Sequence, residues 1–134
     1  MATASSSPVD KLLARYPPDV QTLANSARRL VRRLLPRAAE TADLSSGIVA
    51  YSYGPGYKGM VCTLILSKAG VKIGLVRGSE LDDPHGLMEG RGKVHRQVAV
   101  TSQADLRRRG VSELITATHA AWKRRTAAAA GASA

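Results

Sequence analysis

The chain has 134 residues, which fits one domain, and its 44% apolar content is enough to bury a core. Basic side chains outnumber acidic ones by 20 to 10, and this excess favours anionic partners. The single cysteine, Cys62, excludes a disulfide framework and a zinc site built on several cysteines. The longest apolar run, from Met60 to Leu66, is too short to cross a membrane, and the first residues lack the segments of a secretory signal. We therefore expect a cytoplasmic protein.

The first third of the chain is predicted to be helical. A short helix over about Val9–Ala14 is followed by a longer one that begins near Pro18 and ends at Pro36. Apolar side chains of the longer helix recur on one face at helical spacing. These are Val20, Leu23, Ala24, Ala27, Leu30, Val31 and Leu34. The other face carries guanidinium groups, from Arg28, Arg29, Arg32 and Arg33.

The middle of the chain is predicted to form β-strands. Four short runs are apolar or β-branched and are separated by turn residues. They are Ile48–Tyr53, Met60–Ser67, Val71–Val76 and Val94–Val100. The first three runs are joined by gaps too short for a parallel crossover, so we expect antiparallel hairpins.

Helix is predicted again near the end of the chain. Thr101 or Ser102 can cap a short helix that ends at Gly110. A final helix follows, and its helical spacing places Trp122 in the core or at its edge.

The order of these elements predicts an α+β fold. We expect an antiparallel sheet of about four to five strands with helices packed on one face. Residues 8–125 are assigned to this single domain. Residues 1–7 are expected to form a disordered tail, and residues 126–134 an Ala-rich, low-complexity tail.

The most distinctive segment is a long loop between the third and fourth predicted strands, from Gly78 to Lys93. Long ordered loops often carry function, but the loop can also be a compact structural one whose glycines only form its turns, and the sequence leaves both interpretations open. Three of its glycines can bring backbone N–H groups close to a bound anion, namely Gly86, Gly90 and Gly92. Lys93 and Arg96 add positive charge at the same end. The loop is not a P-loop, because Leu87 and Val94 stand where that motif needs Gly and Ser or Thr.

The same loop resembles the YdhG-like family of domains of unknown function. The matching residues are Gly78, Leu81, Asp83, Pro84, Gly86, Leu87, Gly90, Gly92, Lys93 and Arg96. The helix that closes at Pro36, followed by Glu40, is similar to the helix-to-sheet junction of that family, and the resemblance covers roughly Asp10 to Arg124. It implies a small α+β domain of frataxin-like shape. The family consists mostly of uncharacterised bacterial cytoplasmic proteins, with one branch linked to iron handling.

The acidic side chains of the loop raise the possibility of metal binding. Iron binding of the frataxin type uses an acidic ridge, whereas the long helix of this chain carries arginines. The loop contains five groups that could hold a metal, but without a known metal-site spacing. They are Glu80, Asp82, Asp83, His85 and Glu89. We therefore expect no metal and no cofactor, and frataxin-like iron binding is the second alternative function.

The residues also argue against catalysis by a nucleophile. Cys62 lies in the middle of a predicted strand, where a buried and inert thiol is the common outcome. His95 and His119 could act as bases, but nothing in the sequence places them near Cys62 or a serine. His119 falls off the apolar face of its helix, so we expect it to be solvated. No catalytic residue is predicted.

Nucleic acid is the first alternative partner. The arginines of the long helix could contact phosphates, together with the basic runs Arg107–Arg109 and Lys123–Arg125. No helix-turn-helix, RNP or KH pattern is present, so sequence-specific recognition is not indicated. Weak, non-specific attraction to nucleic acid is the expectation.

Three tyrosines form a second notable group. Tyr51 and Tyr53 share a strand face, and Tyr57 follows closely. One hypothesis is packing at the sheet edge with the hydroxyls in water. The other is that Tyr53 and Tyr57 form a wall of a pocket whose second wall is the glycine-rich loop.

Together these observations predict a non-enzymatic binder of a small anionic ligand or an acidic partner. The expected contacts come from the loop and the two tyrosines: Gly86, Gly90, Gly92, Lys93, Arg96, Tyr53 and Tyr57. No membrane partner is expected, and the chain is predicted to be a monomer or a homodimer.

Overall fold

The computed structural model describes residues 7–90, 92 and 94–133. Within these residues the chain forms four α-helices: α1 (Pro8–Leu13), α2 (Pro18–Leu34), α3 (Gln103–Leu106) and α4 (Arg109–Ser133). It also forms six strands: β1 (Ala39–Asp43), β2 (Ile48–Ser52), β3 (Met60–Ser67), β4 (Gly70–Leu75), β5 (Met88–Glu89) and β6 (Arg96–Val100).

The six strands form one antiparallel sheet in the order β1-β2-β3-β4-β6-β5. The helices pack against the sheet, which confirms the predicted α+β class and the predicted hairpins of the central strands. Strand β6 begins at Arg96, two residues later than expected.

Both edge strands, β1 and β5, were missing from the four strands predicted. Strand β1 reads Ala-Glu-Thr-Ala-Asp and is largely exposed, so it lacks the apolar residues that normally mark a strand. Strand β5 has two residues and lies inside the glycine-rich loop. Such short, polar edges are common because they limit pairing with other chains.

The core lies between the helices and one face of the sheet, called here the helix side. Alternate strand residues point to this side and are almost fully buried. They include Val49, Tyr51, Cys62, Leu64, Ile73, Leu75, Val98 and Val100. Apolar residues of the helices complete the core, including Val20, Leu23, Ala24, Ala27, Val31, Val111, Leu114 and Ile115. Residues of the opposite, open face are partly exposed.

The helix ends differ from the prediction at three places. Ser7 belongs to the fold and not to a tail, because its hydroxyl caps α1 in a reciprocal pair with Asp10. Ser102 caps α3 as predicted, but α3 ends at Leu106, and Gly110 lies in the first turn of α4. Helix α4 then continues to Ser133 instead of giving way to an Ala-rich tail near residue 126, since alanine is the strongest helix former.

Among the described residues, no helix has both the length and the apolar character that a membrane crossing requires.

Candidate functional site

The glycine-rich loop is an ordered part of the fold. The carboxylate of Asp83 accepts hydrogen bonds from the backbone N–H groups of Leu87 (2.9 Å) and Met88 (2.8 Å). Leu87 packs against the core, and a Cβ added at Gly110 would lie 2.7 Å from its Cδ1. Asp83 therefore acts as a structural cap that folds the loop back onto α4 and the sheet edge.

The predicted ligand residues of the loop do not converge on one point. Gly86 is exposed and has open space around it. Gly90, Gly92 and Arg96 instead line a cavity of about 680 Å³ on the open face of the sheet. Lys93 lies outside the described residues. The structure thus brings three of the five loop residues together and leaves Gly86 apart from them.

The open-face cavity has a mixed and mainly uncharged lining. Small and apolar side chains form its floor, among them Ala50, Thr63, Ile65 and Gly74. Its rim carries both signs of charge, since Asp43 and Glu89 line it together with Arg96. Glu89 pairs with Lys72 at 3.5 Å. Among the described residues, the lining of this cavity therefore carries charges of both signs.

Tyr51 is a core residue, so the hypothesis that its hydroxyl lies in water at the sheet edge is wrong for this residue. The hydroxyl donates a hydrogen bond to Glu40 Oε2 at 2.6 Å. Burial, and then the hydrogen bond and negative charge of Glu40, raise the pKa of Tyr51 far above its usual value. Glu40 is the Cα partner of Tyr51 in the pairing of β1 with β2, so the unpredicted strand supplies this contact.

Arg28 also differs from the prediction of an outward-facing phosphate contact. Its Nε and Nη2 donate to the two carboxylate oxygens of Glu40 at 3.0 and 2.8 Å, and its side chain is 15% exposed. The hydrogen bond to Glu40 raises the pKa of Arg28. Arg28 therefore belongs to a half-buried network with Glu40 and Tyr51.

The other three predicted arginines remain exposed on α2. Arg29, Arg32 and Arg33 line a depression of about 460 Å³ together with Arg37, which follows the helix. We call these four residues the arginine patch.

A cluster of aromatic rings lies where β2 ends beside α4. Tyr53 stacks on His119 with ring centroids 4.7 Å apart, and Trp122 packs 5.2 Å from Tyr53. His119 is thus partly buried by stacking, whereas the sequence predicted a solvated side chain. Burial, and then the nearby Lys123, lower the pKa of His119.

These rings border a cleft of about 890 Å³, which we call the aromatic cleft. Its lining includes Tyr53, Lys58, Arg77, Glu80, Val94, His95, Trp122 and Arg125. The indole Nε1 of Trp122 donates to the carbonyl of Lys58 at 2.7 Å, which fixes the orientation of the ring. The described part of Tyr57 is its backbone, in a 3₁₀ turn just before β3.

The cleft joins the tyrosine segment to the end of the glycine-rich loop. Val94 and His95 follow that loop directly, and both line the cleft with Tyr53. The backbone N–H of Arg77 donates to His95 Nδ1 at 2.9 Å, which holds this corner together. Tyr53 thus lines a cleft with the two residues that follow the loop, whereas Gly86, Gly90 and Gly92 are not among its lining residues. The hypothesis of a pocket wall formed by the glycine-rich loop stays a prediction.

Two guanidinium groups meet at the rim of the aromatic cleft. Arg77 contacts Glu80 Oε2 through Nε at 2.7 Å and Nη2 at 2.6 Å, while Arg125 Nη1 lies 3.9 Å from Glu80 Oε1. Burial, and then the positive charge of Arg77, lower the pKa of Arg125. Two like charges are therefore held close together around one carboxylate.

Neither a nucleophile nor a metal group stands out among the described residues. Cys62 is fully buried, and burial raises its pKa to about 12, so its thiol stays protonated and inert. Within the described part of the chain, no group of three or more His, Cys, Asp and Glu side chains could hold a metal ion.

Sequence reasoning missed Arg77, Glu80 and Arg125 as one group. The i, i+3 spacing of Arg77 and Glu80 can be read from the sequence and is compatible with an ion pair. The approach of Arg125 from α4 can be seen only in the folded structure. No family model, curated protein or solved structure matches the chain. Membership of the YdhG-like family thus stays a prediction.

Proposed function

We propose that this protein is a non-enzymatic binder of a small anionic ligand, and that the aromatic cleft holds the ligand. The observation that carries the proposal is the convergence of Arg77 and Arg125 on one carboxylate at the rim of this cleft. The carboxylate of Glu80 occupies the position that the anionic group of a ligand would take.

The chemistry of the rim fits phosphate or carboxylate. A guanidinium group presents paired N–H donors whose spacing matches the oxygens of either anion. Two guanidinium groups supply positive charge and also fix the orientation of the bound anion. A bound anion would take the place of the Glu80 carboxylate between Arg77 and Arg125. Lys58 adds a third cation to the cleft lining.

The aromatic lining of the cleft fits a planar group. Trp122 is held in place by its hydrogen bond to the Lys58 carbonyl, and its neighbour Tyr53 is held by stacking. An aromatic ring fixed in advance can stack on a flat ligand at little entropic cost. The ligand is therefore a small compound with a flat ring and a phosphate or carboxylate group.

No catalytic step is part of the proposal. His119 stacks on Tyr53, and Cys62 lies in the core. Both residues have structural roles that account for their positions.

The proposal keeps the expected membership of the YdhG-like family, with its frataxin-like shape and bacterial, cytoplasmic setting. Support comes from the α+β architecture and from the ordered loop that carries the matching residues.

Isothermal calorimetry with four probes tests the proposal. Adenosine 5′-monophosphate offers ring and phosphate, benzoate a ring and a carboxylate, adenosine a ring alone, and inorganic phosphate the anion alone. Adenosine 5′-monophosphate or benzoate should bind more tightly than adenosine and phosphate. Which of the two binds more tightly distinguishes a phosphate ligand from a carboxylate ligand.

Variants locate the binding. Arg77→Ala with Arg125→Ala should weaken binding of the better probe at least tenfold, because both guanidinium groups are lost. Arg124→Ala is the matched control, since Arg124 is the exposed neighbour of Arg125, and it should change the affinity less than twofold. Absence of binding to all four probes, or equal losses in both variants, would contradict the proposal.

A further inference from the structure

The arginine patch, formed by Arg29, Arg32, Arg33 and Arg37, is a second concentration of positive charge, and its depression shares no lining residue with the aromatic cleft. All four side chains are exposed. They surround one depression of about 460 Å³, whose remaining lining is Leu35 and Ala38. Helix α2 supplies three of the arginines, and the turn after it supplies Arg37.

The charges of the patch are poorly compensated within the fold. Arg29 donates a hydrogen bond to the hydroxyl of Ser26 at 3.0 Å, and Arg32 interacts with Glu40 at longer range. In the part of the chain that the structure describes, no carboxylate forms a salt bridge with any of the four. Arg28, on the same helix, shows the contrast because it is held by both oxygens of Glu40.

This arrangement is unfavourable for the isolated helix. Arg29 lies three residues from Arg32 and four from Arg33, and like charges at these spacings repel on a helix surface. The helix dipole favours Arg32 and Arg33 in the last turn, but it does not account for Arg37 beyond the helix end. A polyanion that contacts all four groups would remove the repulsion.

We propose that the arginine patch binds the sugar–phosphate backbone of nucleic acid without sequence preference. Guanidinium groups match phosphate oxygens in geometry and charge, and a run of successive phosphates can meet four of them at once. The residues lining the depression include no aromatic side chain on which a base could stack. Because of this lining, we expect the patch to contact the phosphates of the nucleic acid and not its bases.

Fluorescence anisotropy with a labelled 20-nucleotide DNA, single-stranded and duplex, tests this inference over a series of salt concentrations. The wild-type affinity should fall steeply with salt, because phosphate contacts release counterions. Changing all four patch arginines to alanine should reduce the affinity at least tenfold. The slope of log affinity against log salt should become shallower by roughly 3 to 4, at about 0.7 to 0.9 per lost contact.

A matched control removes four charges elsewhere. Lys11, Arg15, Lys68 and Lys72 are exposed and lie outside the patch and outside the basic runs at residues 107–109 and 123–125, so their joint change to alanine alters the net charge equally. This variant should keep the affinity within about threefold. Equal losses in the two variants would show that only total charge matters, and unchanged binding by the patch variant would also overturn the inference.

Competition and stability measurements separate binding of the phosphate backbone from attraction to any polyanion and from damage to the fold. Polyglutamate of equal charge should compete poorly, and tighter binding of polyglutamate than of DNA would assign the patch to an acidic protein and overturn the inference. The patch variant should unfold at or above the wild-type temperature, because the repulsion between the arginines is removed, and it should keep its affinity for the better cleft probe. If the patch variant loses DNA binding but keeps its affinity for the cleft probe, the two sites bind their ligands independently.

Discussion

Among single residues, Glu40 has the clearest effect on stability. It accepts hydrogen bonds from Arg28 and Tyr51 while its side chain is 14% exposed. Burial alone would raise the pKa of Glu40, but the bonds from Arg28 and Tyr51 outweigh it and hold the pKa below the ordinary value. The folded state therefore favours the charged carboxylate, and one acidic residue satisfies the fully buried Tyr51 and the largely buried Arg28.

A pH series on Glu40→Gln tests this network. Because the pKa of Glu40 is lower in the folded state, its charged form stabilises the protein at pH values above the pKa of the unfolded state. This stabilisation is lost as the pH falls through the pKa of the folded state. The variant should be less stable than wild type by about 2 kcal/mol at pH 7, because a charged hydrogen-bonding partner of Arg28 is lost. Urea unfolding should show this difference shrinking below about pH 4.5. A difference that stays constant from pH 7 to pH 3 would contradict the assignment.

Glu80 is the residue that most directly sets anion affinity in the aromatic cleft. It competes with a ligand for Arg77 and Arg125 at the rim. Glu80→Gln should therefore raise the affinity for the better calorimetric probe, by about 1.4- to fivefold, as expected for exposed ion pairs worth roughly 0.2 to 1 kcal/mol. The control is Glu113→Gln, which changes a carboxylate that pairs with Arg109 and should leave the affinity unchanged. Weaker binding in Glu80→Gln would mean that Glu80 contacts the ligand itself.

At the scale of elements, the glycine-rich loop serves mainly to close the sheet edge. Asp83 ties its turn to β5, and β5 pairs with β6. The glycines let the chain turn sharply; Gly86 and Gly90 both have positive φ. The loop therefore contributes to the aromatic cleft through Glu80 near its start and by positioning Val94 and His95 after its end.

Hydrogen exchange measures this structural role of the loop. Asp83→Ala should speed exchange of the Leu87 and Met88 amides at least several-fold, because both lose their acceptor. The overall free energy of unfolding should fall by about 1 kcal/mol, as for the loss of a helix cap. Asp82→Ala, which changes the neighbouring carboxylate, should leave these amides protected. If these two amides exchange equally fast in Asp83→Ala and Asp82→Ala, Asp83 does not cap the loop.

At the scale of the whole molecule, periodicity predicted the architecture but not the site. Apolar spacing marked α2 and the central strands, because burial on one face leaves a repeating pattern in the sequence. Strand β1 leaves no such pattern, and without it the contact of Arg28 with Glu40 could not be foreseen.

The aromatic cleft escaped prediction for a related reason. Trp122 and the Lys58 carbonyl are 64 residues apart in sequence, and Arg125 reaches Glu80 from a different element. Local spacing carries no information on such contacts. The sequence did single out Tyr53 and Trp122, but as separate residues.

Fluorescence of Trp122 is the most direct measurement of the central claim, that the aromatic cleft binds a small anionic ligand. The chain contains a single tryptophan, so all tryptophan emission comes from the cleft. Titration with adenosine 5′-monophosphate or benzoate should change the emission saturably in wild type and in Arg124→Ala. The change should be lost in Arg77→Ala with Arg125→Ala. Emission that stays constant for both compounds in folded wild-type protein would contradict the account.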